Sequence, residues 1–336
     1  MLEQLQNLNF VGSVVVLNDF FLDRIVKIDD ITKLFDLILQ KKVFGGSIRG
    51  IPQVDFKGGN ATNVAFALAR LGAPVSLITV ANKTGSQILH DMFSEFPKTS
   101  LHIIDGKPGM TTSFEFSNNG SVVNIMLSDL GDNENFGPEK LGPKEQNAVK
   151  NADAIIVTNW ASNEKGTDLS KFVFEKSLKS LHFLDPADIE TRQGEFKMAI
   201  SELASNLDSL SLNENECNLL LKQFGLGNIT EENDTKKLIS ILSERASIPI
   251  DLHASFGSFW SNGKEAEFVK SLPTDVKFVT GAGDVWDAAN ILGYLANLEP
   301  KERLLFANAT ASLYVGNSNG ISPTMQEVLS LVTEVL

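Results

Sequence analysis

A single cysteine, Cys217, is all the sequence offers to a disulfide or a thiolate metal cluster, and one thiol builds neither within the chain. That scarcity fits a reducing compartment and would equally fit a cysteine-poor exported protein. Basic residues are also short: 29 Lys and Arg stand against 42 Asp and Glu, a formal charge of −13. Such a surface repels nucleic-acid backbones and anionic lipid unless a local basic patch reverses it, and no Lys/Arg block of that kind occurs. No apolar run reaches bilayer-spanning length, and Met1 to Gln6 lacks the basic start and apolar core of a signal peptide. These absences predict a cytoplasmic protein with neither nucleic acid nor membrane as partner. Acidity leaves a nucleotide ligand open, because a few backbone amides in one cleft can hold a phosphate.

Familiar catalytic signatures are missing too. There is no Gly-x4-Gly-Lys-Ser/Thr run, which sets aside the P-loop enzymes, and no Gly-x-Gly-x-x-Gly after the first strand, which argues against a dinucleotide fold. The four histidines lack a Gly-x-Ser-x-Gly elbow to serve. What remains is a chain of 336 residues, 43% hydrophobic and 21% charged, with ample length for a large folded α/β core.

Short β-rich runs alternate with amphipathic stretches. Val11 to Leu17, Val75 to Val80, Ala154 to Thr158, Leu181 to Leu184, Leu207 to Leu212 and Ile248 to Leu252 read as buried strands, a rhythm that predicts a mostly parallel sheet with helices on both faces. Val64, Leu68 and Leu71 share one face of a helix ended by Gly72 and Pro74, and Val285, Ala289, Leu292 and Leu295 share a face of another. Two segments break the rhythm. Thr112 to Phe116 and Val122 to Leu127 flank Ser117-Asn118-Asn119-Gly120, a hairpin signal, while Phe20 to Phe56 reads as irregular around Gly45-Gly46 and Gly50. Both are either plain surface insertions or the parts of a small sheet that covers a site. Asp129 to Asn135 lacks the spacing of a calcium loop and reads as a solvated loop. No repeat or long linker marks a boundary between independent domains.

Three runs could carry chemistry. In Val279-Thr280-Gly281-Ala282-Gly283-Asp284, small residues open a helix so that its first amides can approach an anion, and Asp284 in the first turn can take a proton from an attacking hydroxyl. The plain alternative is a tight turn with Asp284 favouring the helix dipole. In Gly58-Gly59-Asn60-Ala61-Thr62-Asn63, a glycine pair and amide side chains at a helix start suit a polyhydroxylated ligand, or else Asn60 or Thr62 simply caps the helix. In Leu212-Asn213-Glu214-Asn215-Glu216, Asn213 and Glu216 could hold waters around magnesium, and a capping box explains the same spacing.

In this order and at these separations the three runs resemble the ribokinase-like, or phosphofructokinase-B, family of carbohydrate and nucleoside kinases, over nearly the whole chain. Gly58 to Gly72 resembles the family's N-terminal signature and Thr280 to Asp284 its C-terminal one. Asp185-Pro186, Asn213 with Glu216, Phe306-Ala307-Asn308-Ala309 and Leu22-Asp23-Arg24 are similar to its connecting elements, with Asp19 a competitor for the role of Asp23. The resemblance implies one ribokinase-like α/β domain over residues 1–336, doubly wound, with a β-sheet lid from insertions at about 20–56 and 110–128. It implies ATP and Mg2+ as cofactors and a sugar or nucleoside hydroxyl as acceptor. Asp284 would be the base and the amides of Gly281, Ala282 and Gly283 the anion hole. Asp23, Gly58, Gly59, Asn60 and Asn63 would hold the acceptor, Asn213, Thr280, Gly281, Gly283 and Asn308 the nucleotide, and Asn213 and Glu216 the metal. A homodimer through the lid is a further implication, and a catalytically silent sugar or nucleoside sensor on the same fold is the alternative function.

The chain departs from the family pattern in places. Phe278-Val279-Thr280 stands where Asp-Thr-Thr is common, which removes the Asp associated with a potassium site. Leu252-His253-Ala254-Ser255-Phe256-Gly257 replaces the usual Thr-x-Gly-x-x-Gly strand end near the nucleotide and leaves ATP and ADP both open as donor. Val80 to Gly85 lacks the common Gly-x-Asp.

Overall fold

The computed structural model describes residues 1–118, 121–230 and 232–335. Among these, the strands are β1 (Val14–Asn18), β2 (Phe21–Ile28), β3 (Gln53–Gly58), β4 (Val75–Ala81), β5 (Thr99–Asp105), β6 (Gly109–Asn118), β7 (Ser121–Asp129), β8 (Ala154–Thr158), β9 (Leu181–Asp185), β10 (Ser209–Asn213), β11 (Ile250–Ala254), β12 (Gly257–Ser261) and β13 (Ala266–Lys270). Nine of them form one sheet in the order β13-β12-β11-β10-β9-β8-β1-β4-β5. It is parallel from β11 through β5, and β12 runs antiparallel to both β11 and β13.

The centre of this sheet is dry on both faces. In β1, Val14 and Val16 point into one apolar cluster with Leu68, Leu77, Ala288 and Phe306, while Val15 and Leu17 point into another with Ile78, Val157, Phe174 and Leu220. A strand buried on both sides must read as a continuous apolar run, as Val14-Val15-Val16-Leu17 does. The chain winds outward from β1 in two directions, to β4 and β5 on one side and to β8, β9, β10 and β11 on the other. A crevice opens beyond the carboxyl ends of strands at such a reversal, the usual place for a ligand in this architecture. No helix among the described residues is long and apolar enough to cross a membrane.

The two segments that broke the sequence rhythm come together in a second sheet of order β3-β2-β6-β7. β2 lies parallel to β6, and β3 and β7 flank them antiparallel. The turn residues Asn119 and Gly120 of the expected hairpin lie outside the described residues, but β6 and β7 pair on either side of them. The stretch read as irregular holds a helix, Ile31–Lys41, started by Asp30, whose carboxylate accepts the Lys33 N–H at 3.0 Å. Leu34 packs with Val26 and Ile28 of β2 and with Phe114 and Phe116 of β6, which gives the small sheet its own apolar patch. Asp129 to Asn135 is likewise more ordered than a solvated loop. It ends in a 3-10 turn whose buried Asn133 donates to the Phe20 carbonyl at 3.1 Å.

Candidate active site

Two helices packed against each other start at the crevice: Asn60–Arg70, entered through Gly59, and Ala282–Leu295, entered through Gly281. Both glycines hold a positive φ, 100° and 84°, that a side chain would strain. Asp284 lies in the first turn of the later helix and is 5% exposed. Its Oδ1 accepts from Asn60 Nδ2 at 2.9 Å and its Oδ2 from Asn63 Nδ2 at 2.8 Å. Burial, then the nearby Asp185 charge, pushes Asp284 well above the usual carboxylate range, against the pull of the two amides.

The turn before Asp284 leaves donors open. The Ala282 N–H is committed to the Val279 carbonyl at 3.1 Å, whereas the amides of Gly281, Gly283 and Asp284 have no partner among the described residues. The three expected anion-hole amides are therefore not equivalent: Ala282 is occupied, and Asp284 itself adds a free N–H. Tyr314 braces the turn from outside, its hydroxyl donating to the Thr280 carbonyl at 2.6 Å.

Cavities open on either side of this turn. One, of about 390 Å³, lies between the turn and the small sheet and is lined by Asp23, Gly58, Asn63, Thr111, Thr280 and Val285, with Phe56, Phe66, Phe278 and Tyr314 as aromatic walls. The other, of about 720 Å³, is lined by Asn213, His253, Ala282, Gly283, Trp286 and Asn308. Thr280 thus faces the first cavity, while Asn213, Gly283 and Asn308 border the second.

Asp19 and Asp23, four residues apart, have opposite fates. The Asp19 carboxylate accepts the Asn60 and Ala61 N–H groups, both at 2.9 Å, together with Thr158 Oγ1 at 3.0 Å and Asn159 Nδ2 at 2.9 Å. It caps the earlier helix and has no capacity left for a ligand. Asp23 stands on β2 with Oδ1 buried and without a partner, and burial raises its pKa to about 6. A Cβ on Gly58 would sit 1.8 Å from Asp23 Oδ2, so only glycine there admits the carboxylate.

Asn213 and Glu216 form a full capping box: the Asn213 N–H donates to Glu216 Oε2 at 2.8 Å and the Glu216 N–H to Asn213 Oδ1 at 3.0 Å. Glu216 is displaced upward as well. Burial, then Asp185, raises it to about 9. Asp185 at the end of β9, beside Glu216, and Asp287, one turn beyond Asp284 and next to Asp185, are buried and raised by burial as well, Asp185 to about 6. Sequence reading missed Asp287, whose Oδ1 accepts from Ser211 and whose carboxyl group shares a hydrogen bond with that of Asp185 when one of the two is protonated. A helical i, i+3 repeat of acids on an otherwise apolar face was the available signal. No group of three or more His, Cys, Asp or Glu side chains forms a ready metal cage among the described residues. The hard oxygen set of Glu216 and Asp185 still fits magnesium, which keeps most of its waters and takes one or two carboxylates with substrate phosphates.

Asn308 is fully engaged. Its Oδ1 accepts from Ser258 Oγ at 2.6 Å and Trp286 Nε1 at 2.9 Å, and its Nδ2 donates to the Val269 and Lys270 carbonyls at 3.1 and 3.3 Å. It shapes the wall of the larger cavity and has no polar atom spare.

Comparison with known proteins gives the class of protein in which this crevice, with its adjacent helix starts and flanking carboxylates, lies. Residues 22–327 match the model of the pfkB family carbohydrate kinases, and the chain belongs to that family. It is 24% identical to the ribokinase of Lactococcus lactis over 87% of this chain and 89% of that protein. It is 25% identical to the bifunctional protein HldE of Nitratiruptor over 80% of this chain, spanning about half (55%) of that longer protein. Among solved structures, Arabidopsis thaliana ribokinase complexed with ribose and ATP superposes with a TM-score of 0.75 at 19% identity, over 96% of this chain and 99% of the other. The adenosine kinase of Sinorhizobium meliloti superposes with a TM-score of 0.72 at 18% identity, over 97% and 98%.

Proposed function

We propose that the protein is a cytoplasmic ATP-dependent kinase that phosphorylates a hydroxyl of a small sugar or nucleoside, acting as a single domain over residues 1–336 with a lid from about 20–56 and 110–128. One observation carries the reading: Asp284 and the free amides of Gly281, Gly283 and Asp284 stand at one helix start between two cavities. The smaller cavity takes the acceptor. Asp23 offers it an unpartnered buried oxygen, and Asn60 and Asn63 already touch the base. The larger cavity takes ATP, with its terminal phosphate against the open amides.

Asp284 accepts the acceptor's hydroxyl proton as that oxygen bonds to the γ-phosphorus and the bond from γ-phosphorus to the bridging oxygen breaks, releasing ADP. A raised pKa makes it a stronger proton acceptor. The amides meet the charge that develops on the transferring group and need no rearrangement to do so. Glu216 and Asp185 would hold magnesium, which would supply positive charge beside the nucleotide's phosphates.

The inner face of the small sheet, with Asp23, Thr111 and Ser113, roofs the acceptor cavity. Its outer face exposes Met110, Ile125 and Leu127, which supports a homodimer paired through the lids. The reading is tested by coupled detection of ADP with a panel of sugars and nucleosides, with ADP tried separately as donor. Turnover of at least one acceptor is expected; tight acceptor binding with no product from any donor would replace the kinase with a sensor.

A further inference from the structure

The larger cavity contains a side chain whose hydrogen bonding the fold leaves unfinished. His253 stands on β11 opposite Asn213 of β10. Its ring centroid lies 5.3 Å from that of Trp286 at an interplanar angle of 39°. A methyl added to Gly283 would come within 2.9 Å of His253 Cε1 and 3.3 Å of Nε2, so the imidazole borders the turn that carries the open amides. Neither ring nitrogen has a hydrogen-bond partner among the described residues. The contrast is His182, whose Nδ1 and Nε2 lie 2.7 and 2.9 Å from the Asn206 and Ser177 carbonyls. One histidine is satisfied by the protein and the other faces a cavity.

Resting on the kinase reading above, we infer that His253 binds the phosphate chain of the donor, its ring N–H donating to a phosphate oxygen beside Gly283. A phosphate offers only acceptors at neutral pH, so it selects the tautomer that turns an N–H toward the cavity. A neutral imidazole there adds a directed dipole. Trp286, held by its own bond to Asn308, limits the ring's rotation and aims it. His253 would supply a side-chain contact next to a backbone cradle whose Ala282 amide is already occupied.

The test uses the full chain with magnesium and compares ATP, ADP and adenosine by calorimetry for the wild type, His253→Ala and His253→Gln. A hydrogen bond to a charged group is worth about 1.5–3 kcal/mol, or roughly 10-fold to 100-fold in affinity. His253→Ala is expected to lose that factor for ATP and ADP, keep adenosine binding, and show a raised KM for ATP. His253→Gln retains an N–H donor and should recover most of the loss. Equal weakening of adenosine and ATP would assign the ring to packing beneath Trp286 and overturn the inference, as would wild-type ATP affinity in His253→Ala. A wild type that binds no nucleotide and turns over no acceptor would sink the kinase reading itself; an active wild type with an unaffected Ala variant would sink only the role of His253.

Discussion

Asp284 receives an amide hydrogen on each carboxylate oxygen, so in the resting protein the group that would act as base is already held by Asn60 and Asn63. An acceptor hydroxyl has to displace or share one of these contacts, which makes the two asparagines part of the base's tuning. Asp284→Asn keeps the volume and removes the proton acceptor. It is expected to lower kcat about 10²-fold to 10⁴-fold in an ADP-release assay, with thermal unfolding within a few degrees of the wild type. At this scale the sequence pointed to Asp284, Asn60 and Asn63, because each sits where small residues open a helix. It could not decide between Asp19 and Asp23. That choice depends on the chain turning between the end of β1 at Asn18 and the start of β2 at Phe21, which carries Asp19 under a helix and Asp23 into a cavity. Asp287 stayed hidden for a related reason: only the packing of its helix against Ser211 reveals where the carboxylate goes.

At the level of elements, the strands that were readable are those buried on both faces, such as Val75 to Val80 and Ala154 to Thr158. β5, half-buried at the sheet edge, and the antiparallel β12 and β13 carry a weaker pattern and were not read. The Ile31–Lys41 helix went unread although Ile31, Leu34, Ile38 and Leu39 recur at helical spacing, because the glycines at 45, 46 and 50 made the whole segment look irregular. The helix Ala282–Leu295 and its neighbour Pro300–Val315 are tied to the sheet by a buried ion pair, Arg303 to Asp251 at 2.7 Å, with side chains 2% and 0% exposed. Tyr294 adds its hydroxyl to Asp251 at 2.9 Å, and the Arg303 guanidinium lies 3.7 Å from the Tyr294 ring centre. Removing one partner strands the other charge in the core. Arg303→Ala is therefore expected to destabilise the protein by about 3–5 kcal/mol in denaturant titrations. Leucine in place of both residues should recover much of that loss.

For the molecule as a whole, the concentration of buried acids sets how stability responds to pH. Glu216 is raised to about 9 and Asp23 and Asp185 to about 6, so the folded state binds protons more tightly than the unfolded chain at each of these sites. Their contribution is complete below the ordinary carboxylate range and is lost as pH rises, through about 6 for the aspartates and toward about 9 for the glutamate. Thermal melts of the ligand-free protein should fall between about pH 6 and about pH 9, and Glu216→Gln should flatten the upper part of that decline. A curve that rises over the same range would contradict the placement of these acids. Assembly is tested at the same scale. If lids pair through the face that bears Leu127, sedimentation should find a dimer in the wild type and a monomer in Leu127→Glu, whereas a wild-type monomer would remove the dimer from the reading. Asn60 and Asp284 are separated by 224 positions in the chain, and their contact joins the first third of the protein to the last. On the kinase reading, a growing chain carries its acceptor-side residues long before Asp284 is added, and the onset of phosphoryl transfer would report that the helix Ala282–Leu295 has docked against the Asn60–Arg70 helix.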